Sequence, residues 1–178
     1  MTPSSIFLTD MALGYLASAL CLAAYVWPRL KAMDRLAAQR AIATFHSFRF
    51  FGLVFILPGF VGPNLPHAFA APAAYGDFAA GVLAILALLT VRVRLLFWPL
   101  VVAFNLVGLT DLVLETATAI RIDLPSAAGQ LGAAYAILML YVPTLFWTHI
   151  LALWLLLRPA DAGSTAGSMS LVANRGHA

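Results

Sequence analysis

Charge is what this chain has least of. Lysine, arginine, aspartate and glutamate together make up 10% of its 178 residues, against 63% for apolar types. So little charge leaves no room for a separate soluble domain with a solvated surface. Cysteine is limited to Cys21, which excludes a disulfide framework and any cysteine-based metal or iron-sulfur centre within one subunit. Internal repeats are missing, as are a Gly-x-Ser-x-Gly elbow, a His-Glu-x-x-His pair and a glycine-rich phosphate loop ahead of a helix. Ser47 stands beside His46, but neighbours on a helix point about 100° apart and do not make a nucleophile and its base. The expectation is a protein without catalytic residues. The net charge of +3 is carried without any interleaving of basic and aromatic residues, so it does not describe a nucleic-acid surface.

What the chain does have is about five long apolar runs, near residues 6–28, 41–61, 76–91, 97–120 and 130–157. Most are the length an α-helix needs to cross a bilayer. The third is the shortest, about 24 Å at helical rise, and needs Arg92 or Arg94 to snorkel outward. The predicted fold is all-α: a polytopic transmembrane bundle of five spans forming one domain over residues 1–158. The Ala/Gly/Ser-rich stretch 159–178 reads as a flexible cytoplasmic tail. No basic residue precedes the first run and a basic stretch follows it, so it reads as a retained span rather than a signal peptide.

The basic residues orient the bundle. With the N-terminus outside and the C-terminus inside, Arg29, Lys31, Arg35, Arg40, Arg92, Arg94, Arg158 and Arg175 fall on the cytoplasmic side, Arg121 outside, and Arg49 within the second span. The reverse orientation contradicts the positive-inside bias. Trp27, Trp98 and Trp154 fall at the proposed cytoplasmic ends and Tyr75 and Tyr135 near the other ends, as interfacial rings should. Gly76, Ala80 and Ala84 make a small-residue face on the third span. The uncharged, proline-bearing stretch from Gly62 to Tyr75 reads as a loop capping the outer mouth or dipping into the headgroups. Its His67 has no second metal ligand nearby in sequence.

A few polar residues lie where lipid would be. His46 and Arg49 are three apart on the second span and share a face. Asn105, Asp111 and Glu115 form one polar stripe on the fourth, and His149 follows a proline break at Pro143 on the fifth. Asp10 and Asp77 are placed near outer helix ends, hydrated or capping. At about 1.5 Å per residue, Arg49, Asn105 and His149 come out at one depth, His46 a turn shallower, Asp111 and Glu115 deeper. A buried arginine needs a partner, and Asp111 is the expected one. Four readings follow. The cluster is a polar cavity that binds a small polar or anionic molecule or relays protons, with His46 or His149 able to titrate near neutrality. It is instead a structural Arg–Asp pair. In the third reading His46 and His149 are axial ligands of a haem lined by Phe45, Phe48, Phe50, Phe51 and Phe55. In the fourth the bundle is an accessory or assembly subunit docked on a larger membrane protein, or a homo-oligomer.

The order Arg49-x-x-Gly52, Gly76-Asp77-x-x-x-Gly81, Asn105-x-x-Gly108-x-x-Asp111-Leu112 and Val142-Pro143 followed by His149 resembles a group of small uncharacterised bacterial multi-pass membrane proteins, over roughly residues 41–157. The resemblance implies a bacterial inner-membrane location and no particular activity. It also implies that Arg49, Asp77, Asn105, Asp111 and His149 belong to one set.

Overall fold

The computed structural model describes residues 1–158, so the predicted tail, 159–178, lies outside the described residues. All regular elements among the described residues are helical, and the only extended feature is an isolated bridge between Pro58 and Val61. Helix α1 (Pro3–Ala32) is followed by α2 (Arg35–His46), which runs on as a 3₁₀ helix (Ser47–Ile56). Then come α3 (His67–Leu89), α4 (Arg94–Arg121), a 3₁₀ stretch (Leu124–Leu131) and α5 (Ala134–Leu157). Among the described residues, four helices, α1, α3, α4 and α5, are long and apolar enough to cross a membrane.

Two expected spans change. The second, 41–61, is not one helix of membrane length: its first half is a polar α-helix beginning at Arg35, and its second half winds more tightly from Ser47 onward. The third begins at His67 rather than at residue 76. Residues 67–75, expected in a capping loop, are helical although Pro72 lies among them. The proline forgoes one backbone bond, and the alanines Ala68, Ala70, Ala71, Ala73 and Ala74 around it are the best helix formers available. A loop does remain over residues 57–66. It is tied to the 130–133 turn by Gly62 N donating to Gln130 O at 2.7 Å and Ala133 N donating to Phe60 O at 3.1 Å.

Helix starts are set locally. Thr2 Oγ1 accepts from Ser5 N ahead of Pro3, and Asp34 Oδ1 accepts from Ala37 N at 2.9 Å to begin α2, each satisfying an otherwise orphaned amide. Prolines are absorbed rather than breaking the rods. A π turn at Leu22–Val26 precedes Pro28, and another at Ile137–Tyr141 precedes Pro143. Widening the helix by one residue accommodates the missing N–H. The expected break at Pro143 is therefore a bulge within a continuous α5.

The buried residues fall into two apolar clusters on either side of a polar layer. One holds Phe55, Phe69, Ala73, Leu112, Leu138 and Leu145; the other holds Leu30, Ile42, Ala84, Val101, Phe104 and Ala152. Along α2, α3, α4 and α5 the residues between them are His46 and Arg49, Asp77, Asn105 and Gly108, and Thr148 and His149. The second cluster lies at the end where basic residues gather. Arg35 Nε donates to Leu155 O at 3.2 Å and its Nη2 to Arg158 O at 2.7 Å, covering the last carbonyls of α5. The Arg35 guanidinium lies 5.9 Å from the Trp98 ring, Lys31 Nζ 5.5 Å from that of Trp27, and Trp27 packs edge-on to Trp154. Helix α1 stands apart. It rests on α5 and the second 3₁₀ stretch and leaves Leu8, Leu13, Leu16 and Leu20 exposed.

Candidate functional site

The switch from α to 3₁₀ winding after His46 shapes the site. A 3₁₀ helix has three residues per turn, so positions three apart stack along one edge. His46, Arg49, Gly52 and Phe55 are the buried residues of that stretch, all at that spacing. Arg49 is thereby aimed into the bundle, while Phe48, Phe50 and Phe51 face outward.

Arg49 is fully buried and all three guanidinium nitrogens are engaged. Nε donates to Asp77 Oδ1 at 2.6 Å, Nη2 to Asp111 Oδ2 at 2.8 Å, and Nη1 lies 3.0 Å from His149 Nε2. A guanidinium only donates, so His149 Nε2 must accept, which makes the imidazole neutral with its proton on Nδ1. That nitrogen is 2.9 Å from Asn105 Oδ1, and Asn105 Nδ2 donates to Val101 O at 2.8 Å. Each contact thus dictates the next, from the two carboxylates through the guanidinium and imidazole to a backbone carbonyl. Such charge-assisted bonds in a buried setting are the strong ones.

Four glycines allow this approach. A Cβ on Gly52 would strike the Asp77 carboxylate, on Gly76 that of Asp111, and on Gly108 the Arg49 Nη1 and the His149 ring. At Gly81 it would come to 3.1 Å from Phe50 N and 3.4 Å from Arg49 Cβ. These glycines are packing necessities of the charged layer.

His46 lies beside this network. Its Nε2 is 3.0 Å from Thr148 Oγ1, which itself donates to Thr144 O at 2.8 Å. His46 therefore donates through Nε2, and its buried Nδ1 has no hydrogen-bond partner among the described residues. Glu115 lies one helical turn beyond Asp111. Its carboxylate comes within 4.8 Å of those of Asp77 and Asp111, and its buried Oε1 has no hydrogen-bond partner among the described residues.

A family model described as a domain of unknown function (DUF8737) matches residues 6–157. The chain belongs to this family. No curated protein and no solved structure matches it.

In this DUF8737 protein, all seven candidate residues, His46, Arg49, Asp77, Asn105, Asp111, Glu115 and His149, join in one connected cluster. One of them differs from expectation in its place. Asp77 is not at a helix end: with α3 beginning at His67, it lies about 15 Å along the helix and shares Arg49 with Asp111. Tyr75 likewise moves off the helix end. Asp10 accepts from Tyr135 Oη at 2.6 Å and so ties α1 to α5. The haem arrangement does not fit. The His46 and His149 rings are 4.1 Å apart, centroid to centroid. Two rings on opposite sides of one iron, each with a bond of about 2 Å, stand farther apart than that. Both His149 nitrogens are also committed, and of the proposed porphyrin-lining phenylalanines Phe48, Phe50 and Phe51 face outward. Sequence reasoning missed Thr148 and Gln39. Gln39 Nε2 donates to Ala152 O at 2.8 Å. Its signal was available, since a glutamine four residues into a span-entering helix is another polar group that needs a partner.

Proposed function

We propose that this is an integral protein of the bacterial inner membrane, crossing five times with its N-terminus outside, whose central layer holds an exchangeable proton shared among Asp77, Asp111 and Glu115. The observation that carries the reading is a charge count. Three carboxylates approach within 4.8 Å of one another in the bundle beside a single guanidinium, which balances one of them. Carboxylates this close do not all ionise where water is scarce, so protons or cations make up the difference. Glu115, whose carboxyl bonds the Asp111 side chain and whose Oε1 has no hydrogen-bond donor among the described residues, is the natural seat of that proton. The four apolar helices support the membrane setting. The fifth crossing is supported by reach: twelve α-helical and ten 3₁₀ residues extend about 38 Å, more than a hydrocarbon core of about 30 Å. The gathering of Arg35, Arg158 and Lys31 at one end supports placing that end in the cytoplasm.

A small anionic ligand on Arg49 is the weaker form of the binding idea, because every guanidinium nitrogen is already used within the protein. That same saturation favours a second reading, in which the layer only locks α3, α4, α5 and the 3₁₀ segment in register. Infrared difference spectra of the reconstituted protein between low and high pH separate the two. The proton reading expects the carbonyl band of a protonated carboxyl that shifts with pH and is lost in Glu115→Gln. A wild-type spectrum without such a band leaves the structural lock.

A further inference from the structure

Glu115 has a second neighbourhood. On the side away from Arg49 it lines a cavity of about 250 Å³ between α1, α4 and α5, whose other walls include Phe7, Met11, Tyr15, Phe69 and Leu138. The walls are almost wholly apolar, and the one carboxylate among them is the one with a buried oxygen that has no hydrogen-bond partner among the described residues. A lone buried acceptor in an apolar chamber is costly unless something donates to it.

We propose that this cavity is a binding site for a hydrophobic amine, held as its ammonium with the N–H on Glu115 Oε1 and its apolar body among Phe7, Met11, Tyr15, Phe69 and Leu138. The class follows from three features. The layer carries one guanidinium and three carboxylates, so a cation is welcome and an anion is not. Aromatic side chains on the walls favour ammonium over neutral donors through their ring faces. The remaining surface offers apolar contact and too few oxygens to replace the shell of a metal ion, and a metal placed among Asp77, Asp111 and Glu115 would lie against the Arg49 guanidinium. On the scale by which a dry cavity of about 150 Å³ takes a benzene, this one holds roughly ten non-hydrogen atoms. An arylalkyl amine fits that size.

The site deepens the proposed proton reading and rests on it for one step. When the ammonium enters, protonated Glu115 gives up its proton to water, and the carboxylate formed pairs with the incoming R–NH₃⁺. One cation is bound and one proton is released, so the charge of the layer is unchanged.

The test uses the full chain in phosphatidylcholine nanodiscs, with 3-phenylpropylamine as the probe and 3-phenylpropanol as its neutral match, by calorimetry in two buffers of different ionisation enthalpy. The expected result is saturable amine binding about tenfold or more tighter than the alcohol, with one proton released per amine. In Glu115→Gln the amine is expected to lose that advantage. In Met11→Trp, which fills the chamber from α1, both probes are lost while the infrared carboxyl band persists. Equal binding of amine and alcohol, unchanged amine binding in Glu115→Gln, or no amine binding at all overturns the proposal and leaves an apolar cleft for lipid chains. A pH-sensitive carboxyl band without amine preference keeps the proton reading and removes only this site. Amine preference without proton release or band supports the site and removes the proton reading.

Discussion

The two sides of the charged layer are built differently. Towards the basic end it is closed between α2, α3, α4 and α5: Phe104 packs against both His46 and His149, Val101 and Ala152 are fully buried, and Gln39 and Arg35 fasten α2 to the end of α5, while a cavity of about 500 Å³ on the α1 flank reaches Thr148. Away from that end it is loose: Glu115 Oε1 has no hydrogen-bond partner among the described residues, and a chamber opens between the core and the peripheral α1. The difference lies in what each side packs against. The closed side is made by α2, α3, α4 and α5 at small-residue contacts such as Ala38, Ala84 and Ala152. The open side depends on α1, which touches the core with few residues and leaves most of its leucines outside.

The largest break in that comparison is the loss of the layer itself. Arg49→Met leaves Asp77 and Asp111 buried without their counter-ion and is expected to cost about 3–5 kcal/mol, read as loss of the folded fraction on thermal unfolding in detergent. Adding Asp77→Asn and Asp111→Asn to it is expected to recover most of that, because the uncompensated charges go with the guanidinium. Next comes packing. Gly76→Ala puts a methyl on the Asp111 carboxylate and is expected to destabilise by about 1–3 kcal/mol. Gly129→Ala, where a Cβ meets nothing within 4 Å, should stay within about 0.5 kcal/mol in the same measurement. On the closed side, Gln39→Leu forfeits the bond to Ala152 O but also removes an unsatisfied oxygen, so a change of about 1 kcal/mol or less is expected. The smallest effect, and the one that sharpens the contrast most, is on the open side. Glu115→Gln replaces a protonated carboxyl by an uncharged amide and removes no hydrogen bond that Oε1 makes among the described residues, so its stability should stay within about 0.5 kcal/mol of the parent. Asp111→Asn, which weakens a bond to Arg49, should fall by about 1.5–3 kcal/mol. Equal losses in these two variants would erase the distinction between the faces.

Much of this site is readable along the chain. Arg49, Asn105, Asp111 and His149 stand out because each interrupts an apolar run, and counting residues from the basic boundaries brings three of them to one depth. Asp77 is joined to them only by the family resemblance, because Pro72 disguised the first turns of its helix. The glycines of the same motifs give no sign in one dimension of which charge they make room for. Glu115 is legible as a polar residue in a span, but not as the member with an oxygen that has no hydrogen-bond partner among the described residues.

The order of the apolar segments, the residues that cannot face hydrocarbon and the end at which positive charge collects all come from the chain alone, since transfer free energy sums over neighbours in sequence. The tight winding after His46, the double salt bridge on Arg49 and the one-sided chamber beside Glu115 were decided by tertiary packing. They depend on how closely backbones from distant parts of the chain approach, and that distance is set by glycines and alanines meeting across helices rather than by any property of one helix.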